Sequence, residues 1–296
     1  MSTGTRAAYA GGRFDGRHGQ RHVLFGRMYE DSSIELNAFP TGGRIFAIAS
    51  AGCTTMALSA AHEVVAVDIN PVQLAYAGER LRGTPGATGT AERVMGFARH
   101  FGSMVGWRHS RLAYFLGLTS PREQSAYWQT HLNTRRFRLS MDALMSLTAL
   151  RAVYAAAFLD FLPSRLGAVM RGRLERCVGR HSNADNPYLR ALLLGEAPAD
   201  PPAANAATVS LVHADAVEFL ERQPGGSFDG FTLSNITDGV DAAYEARLDA
   251  AVKHAATPHA IQVRRSFRSG PKESATNRAA DDRSPLWGIV DVSAVH

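Results

Sequence analysis

The chain holds 296 residues, with 45% hydrophobic and 20% charged content and a formal net charge of +5. That composition excludes a disordered or fibrous protein and leaves length for one large domain or a domain with an insert. Its two cysteines, Cys53 and Cys177, lie too far apart to suggest a disulfide framework or a metal spacing, so a reduced cytoplasmic protein is the expectation.

Residues 1–24 are rich in Gly and Arg and hold no apolar core segment, so they read as a mobile segment rather than a leader peptide. The first ordered signal is Arg44–Ala49, a short apolar strand. Ser50-Ala51-Gly52 then turns the backbone tightly, and Met56–Ala61 reads as a helix. Glu63–Val67 is a second strand, ending in Asp68, and Asn70-Pro71 opens a helix that runs to Leu81. In an open α/β sheet, ligands sit at the carboxyl ends of strands, and an acid closing the second strand suits a ribose diol. The loop is not the three-glycine dinucleotide fingerprint. Ser50, Gly52 and Thr54 suit instead a ligand without phosphates, such as S-adenosylmethionine. A strand-helix-strand unit that binds nothing is the alternative.

Strand signals stop after Leu81 and resume near Thr208. Gly83–Gly86 marks the entry to a segment of helical period, and Pro198–Pro202 marks its exit. Its longest apolar run, Leu139–Leu162, contains Asp142, Arg151 and Asp160, so a buried or amphipathic helix is expected rather than a membrane span. From Arg99 to Arg180 there are thirteen arginines against four acids. An excess of that size suits an acidic partner: a carboxylate substrate, an anionic lipid surface or RNA. RNA is the weakest, because no RNA-binding motif is present. Solvated helix faces are the plainer reading. Arg135, Arg136 and Arg138 are the densest cluster.

Val209–Asp215 is the third strand, followed by the helical AVEFLE. Phe228–Leu233 is the fourth, ending in Ser234-Asn235-Ile236-Thr237-Asp238, and Ala260–Val263 is the last clear strand. Asp215 is placed to accept from an adenine amino group, although an isolated acid there is also a helix N-cap. His213 reads as a packed strand residue. Together these elements predict an α/β fold: a Rossmann-like, class I methyltransferase-type sheet with a large helical insert before the third strand. The expected organisation is a nucleoside-binding domain over 25–83 and 208–296, with an insert or lid over 84–207. Its donor site would combine Ser50, Gly52, Thr54, Asp68, Ile69 and Gln73 with Asp215, Ala216 and Ser234. The eleven histidines show no metal-ligand spacing.

Several blocks carry a resemblance: Met28-Tyr29-Glu30-Asp31, IASAG, VVAVDINPVQLA, Phe115-Leu116-Gly117, Asn186-Pro187-Tyr188, DGFTLSNI and Asp282–Gly288. In these the chain resembles the S-adenosylmethionine 3-amino-3-carboxypropyl transferases, which include diacylglyceryl-homoserine synthases and isonocardicin-synthase-type enzymes. The likeness spans roughly Phe25 to Val290, with DINPVQLA and DGFTLSNI the most specific blocks. The lipid enzymes are longer. They carry Trp where this chain has Tyr29, and an acidic-aromatic pair where it has Ile236-Thr237-Asp238.

The resemblance implies transfer of the 3-amino-3-carboxypropyl group to a hydroxyl, with methylthioadenosine released. A small-molecule, anionic acceptor with a phenolic or similar oxygen fits better than diacylglycerol. It implies that Tyr29, Glu30 and Asp31 bind the donor's amine or close over it; an acid pair before a helix is the alternative for them. Asp238 is the first candidate base, Asn235 would fix the donor's amine or the acceptor, and Tyr188 would line the acceptor side; from the charge excess, Arg135 and Arg136 would line a route for the anionic acceptor or hold the donor's carboxylate. An ordinary methyltransferase, a ring closure by the donor's own amine, and a binding module without activity stand as competing readings.

Overall fold

The computed structural model describes residues 22–100, 102–146, 148, 150, 162–196, 205–270 and 274–296. The 1–24 segment therefore falls almost wholly outside the described residues, as do Arg151, Asp160 and the Pro198–Pro202 exit.

Six strands form one sheet in the order β3-β2-β1-β4-β5-β6. They are β1 (Arg44–Ile48), β2 (Glu63–Asp68), β3 (Val209–His213), β4 (Phe228–Thr232), β5 (Ala256–Ser266) and β6 (Ile289–Ala294). All neighbours run parallel except β5 and β6. The chain first builds outward from β1 through β2 to β3, then crosses to β4 on the other side of β1. The point where the strand order reverses therefore lies between β1 and β4. A sheet of this kind must be covered on both faces. On β1, Phe46 packs into one apolar cluster while Ile45 and Ala47 pack into the other, and on β2, Val65 and Val67 oppose Val64 and Ala66. That alternation is the period-two pleat of a strand buried on both sides.

The described residues form eleven α-helices. α1 (Ser33–Ala38) precedes β1, α2 (Cys53–Leu58) joins β1 to β2, and α3 (Pro71–Leu81) follows β2. The expected Met56–Ala61 helix begins and ends three residues earlier than its apolar residues suggest. Gly52, at φ +79°, makes the left-handed turn that lets the helix start at once. Between α3 and β3 the described residues form helices and no strand: α4 (Thr90–His100), α5 (His109–Leu116), α6 (Pro121–Tyr127), α7 (Arg135–Leu144), α8 (Leu166–Val178) and α9 (Pro187–Leu194). α10 (Ala216–Glu221) follows β3 and α11 (Ala242–Ala255) precedes β5. Side chains written into the sequence start several of these. Asn70, Ser120, Thr134, Asn186 and Asp241 each accept a backbone N–H in the first turn, three of them ahead of a proline.

The helices between α3 and β3 have their own apolar core. Phe115, Trp128, Leu132, Phe137, Leu174 and Leu189 meet there, and the Trp107 and Phe137 rings stack at 4.3 Å. Met170 of α8 joins a smaller cluster that reaches Leu286 in the segment before β6. The antiparallel β6 is a strand that the last clear sequence signal, Ala260–Val263, does not reach. β5 itself is far longer than that tetrapeptide.

Phe46 is wholly buried between β4 and the α10–α11 side, where its ring approaches those of Phe228 and Phe231. Phe46→Ala should cost about 3–5 kcal/mol. Urea denaturation of both proteins measures this, and a cost below about 1 kcal/mol would show that the sheet's inner face repacks freely.

Candidate functional site

β1 and β4 lie side by side, and two residues beyond the end of each stands a serine with left-handed backbone: Ser50 at φ +45° and Ser234 at φ +49°. A non-glycine residue in that region costs about 1–3 kcal/mol and persists only when its surroundings hold it. Both sets of surroundings are visible. The Ser50 N–H donates to Asp68 Oδ2 at 3.0 Å, and the Ser50 carbonyl accepts from Gln73 Nε2 at 3.0 Å. The Ser234 carbonyl accepts from the Arg265 N–H at 2.7 Å, and the Ser234 hydroxyl donates to Glu30 Oε1 at 2.5 Å.

Asp68, at the carboxyl end of β2, also accepts the Asn70 N–H at 2.8 Å. Burial pushes its carboxyl up to about 6, against those two N–H bonds. Ile69 is half-buried, and its carbonyl accepts from His213, which is exposed at the end of β3 rather than packed. Gln73 is engaged at both ends of its amide. It accepts from the Leu24 and Phe25 N–H groups and donates to the Phe25 and Ser50 carbonyls, so it ties the 24–25 segment to the loop. Thr54 is 5% exposed, and its hydroxyl oxygen is buried without a hydrogen-bond partner. Arg80 Nη1 donates to the Ala51 carbonyl and to Cys53 Sγ, giving Cys53 a basic neighbour that sequence spacing does not show.

Asp215 caps α10, accepting from Val217 and Glu218 N–H groups, and its second oxygen accepts from Tyr244 at 3.2 Å. Ala216 beside it is buried in the sheet core. Asp238 is 1% exposed, with its oxygens engaged by Ser266, Phe267 N–H and Asn235 Nδ2. Burial raises its pKa above the ordinary range despite those bonds. Asp238 thus clamps the turn after β4 to the end of β5, and Asn235 belongs to the same clamp.

The largest group at the site is one that residue patterns alone do not mark. Arg265, near the end of β5, is 1% exposed. Its guanidinium pairs with both oxygens of Glu35, donates to Asp282 Oδ2 at 3.1 Å and to the Asp31 carbonyl at 3.1 Å, and lies 3.8 Å from Glu30. Arg283 pairs with both oxygens of Asp31 and lies over the Tyr188 ring, 5.7 Å from its centre. Four carboxylates thus face two guanidiniums. Burial raises the pKa of Glu30 and pushes Asp282 up to about 7. Burial works against ionisation of Asp31 too, but the Arg283 bonds hold it below its ordinary value. Tyr29 is buried, its phenol pushed up to about 12 by desolvation and then by Glu92, so it is neutral near pH 7. Desolvation also raises the Tyr188 phenol.

The structure therefore brings together Glu30, Ser234, Asn235 and Tyr188 around Arg265 and Arg283, and Ser50, Thr54, Asp68 and Gln73 at the ends of β1 and β2; the Tyr29 phenol faces Glu92, Arg27 and Arg99 instead. Arg135 and Arg136 are exposed at the start of α7, and no hydrogen bond or ion pair joins them to either group. Comparison with known proteins gives no family model, no curated protein and no solved structure that matches this chain.

Asp282 yields a pH test. Its folded pKa lies above the unfolded value of 3.8, so its contribution is fully present below about pH 4 and is lost as pH rises through about 7. Asp31 acts in the opposite sense, so a single variant is needed to separate the two. Relative to the parent, Asp282→Asn should gain stability between pH 4 and pH 7. Parallel stability profiles in urea denaturation would contradict the raised pKa.

Proposed function

We propose that this chain is an S-adenosylmethionine-dependent transferase that moves the 3-amino-3-carboxypropyl group to a hydroxyl of a small, anionic acceptor. The observation that carries the reading is convergence. Blocks that resemble the aminocarboxypropyl transferases lie far apart in sequence yet meet at one end of the sheet. Glu30 of the first block bonds Ser234 of DGFTLSNI. Asp31 pairs with Arg283 of the last block, Trp287 Nε1 donates to the Tyr29 carbonyl, and Asn186 donates to the Arg283 carbonyl. Their meeting place is the carboxyl edge beside the reversal of strand order, where nucleosides bind in open α/β sheets.

The residues present suit such a donor. Asp68 would accept from the ribose hydroxyls, and the Thr54 hydroxyl in the first turn of α2, unpartnered among the described residues, would offer a polar contact. The donor carries a sulfonium and an ammonium, and the surplus of carboxylates around Arg265 favours a cation. When bound, the donor supplies an electrophilic Cγ; the acceptor hydroxyl gives up its proton to solvent, its oxygen bonds to Cγ, the C–S bonding pair passes to sulfur, and neutral methylthioadenosine leaves. The chain's part is to fix which carbon faces the acceptor, because reacting atoms must lie about 3–3.5 Å apart and in line. Glu30, held by Ser234 and Arg265, is placed to orient the ammonium of the transferred arm. Helices α4–α9 act as the cover on the acceptor side, and Tyr188 and Arg283 form part of its wall. Asp238 serves by keeping Asn235 and the Phe267 backbone in place.

Incubation with donor and a phenolic acid, followed by mass spectrometry, should show an added aminobutyrate unit and methylthioadenosine. S-adenosylhomocysteine as the sole nucleoside product would replace this reading with methyl transfer. A hydrogen bond to a charged group contributes about 1.5–3 kcal/mol, so Asp68→Ala should weaken donor binding roughly tenfold or more. Calorimetry on the folded variant checks it, and unchanged affinity would remove Asp68 from the site.

A further inference from the structure

Four arginines on or just after α8 divide unexpectedly. Arg171 pairs with Asp142 at 2.6 Å, and Arg180 pairs with Asp281. Arg173, 3% exposed, and the half-buried Arg176 have no carboxylate within ion-pair distance among the described residues. Both donate to backbone carbonyls instead. Arg173 reaches Leu286, Phe267 and Arg268, and Arg176 reaches Trp287 at 2.7 Å. Carbonyl dipoles satisfy hydrogen bonds but carry no net charge, and a buried ion without a counter-charge is costly.

The acids whose fields reach this pair are held elsewhere. Asp238 acts on Arg173 but is bonded to Ser266 and Phe267, and Asp282 acts on Arg176 but is bonded to Arg265. Burial, and after it the repulsion between the two guanidiniums, lowers the Arg173 pKa to about 10. The chain makes room for the arrangement: a Cβ at Gly288 would come within 2.4 Å of Arg173 Nη2. The place is well defined too. Phe267, whose carbonyl Arg173 holds, is the residue after β5, and its N–H bonds Asp238 of the turn after β4. The two cations therefore sit next to the candidate site, on the face that α8 turns toward it.

We propose that Arg173 and Arg176 are the receptor for a carboxylate-bearing ligand at the carboxyl end of β5, with Arg176 making the direct contact. The planar fork of a guanidinium suits two-point pairing with a carboxylate, and Arg176, with one hydrogen bond among the described residues, keeps donors for it. The carboxylate has two sources, the acceptor or the transferred arm of the donor. Only the second of these rests on the donor reading above.

The test is calorimetry on the whole chain, parent against Arg176→Gln, with Arg176→Lys as the charge-retaining control. The acceptor arm compares 4-hydroxyphenylacetate with its neutral amide. The donor arm compares S-adenosylmethionine with methylthioadenosine, which lacks the carboxylate. If the acceptor supplies the anion, the parent prefers acid to amide at least tenfold, Arg176→Gln erases that preference, and Arg176→Lys recovers part of it. If the donor supplies it, Arg176→Gln weakens S-adenosylmethionine at least tenfold and leaves methylthioadenosine unchanged. A parent with no preference for the acid, together with no selective loss of S-adenosylmethionine in a folded Arg176→Gln, overturns the proposal. Failure of both nucleosides to bind the parent counts against the donor reading, and the acid-amide comparison still decides the arginine pair.

Discussion

The guanidinium of Arg265 is the interaction on which the candidate site depends. It is buried where four separate stretches meet: the segment before β1, through Glu30, the Asp31 carbonyl and Glu35; the end of β4, through the Ser234 carbonyl that its own N–H holds; its own strand, β5; and the segment before β6, through Asp282. Such an ion pair adds little net stability over apolar packing, but removing one partner costs about 3–5 kcal/mol because the others stay buried and unpaired. Its effect here is geometric. The Arg265 backbone N–H holds the carbonyl of the left-handed Ser234, and the guanidinium stands 3.8 Å from Glu30, whose carboxylate accepts the Ser234 hydroxyl.

Charge organises what surrounds that anchor. Around Arg265 and Arg283 the carboxylates outnumber the guanidiniums, whereas on the α8 side Arg173 and Arg176 have no carboxylate within ion-pair distance among the described residues. The two regions touch, since Asp238 bonds the Phe267 N–H while Arg173 bonds the Phe267 carbonyl. A ligand with a cationic and an anionic end would match both. The fold also keeps the arginine side from collapsing inward: the helices between α3 and β3 pack around their own Trp128 and Phe115 core and dock on the 280–288 segment through Arg173, Arg176, His181 and Asn186.

Much of the sheet is legible in the sequence because its local signals agree. Asn70-Pro71 opens α3 where a capping side chain and a proline predict it, and β1 to β4 fall within two residues of their apolar runs. The two ends of β5 and the whole of β6 are less legible. β5 carries Gln262, Arg264 and Arg265, and the burial of Arg265 depends on Glu35, 230 residues away; for β6, an antiparallel edge strand leaves no crossover helix to announce it. Within the site, Asp68 and the Ser50 loop follow from strand-end logic. Arg265 does not, because an arginine in a polar strand end looks solvated until Glu35 and Asp282 are placed against it. The arginine excess of the helical region is visible at once, but its densest cluster, Arg135 to Arg138, is not its most buried part. Burial, which singles out Arg173 and Arg176, is a tertiary property.

The central claim is that the reversal of strand order between β1 and β4, braced by Arg265, is a nucleoside site. A crystal structure of the chain grown with S-adenosylhomocysteine tests it most directly. The account predicts the ribose hydroxyls on Asp68 and the amino-acid arm running toward Glu30 and Ser234. Nucleoside density elsewhere, or an empty strand edge at saturating ligand, would contradict it.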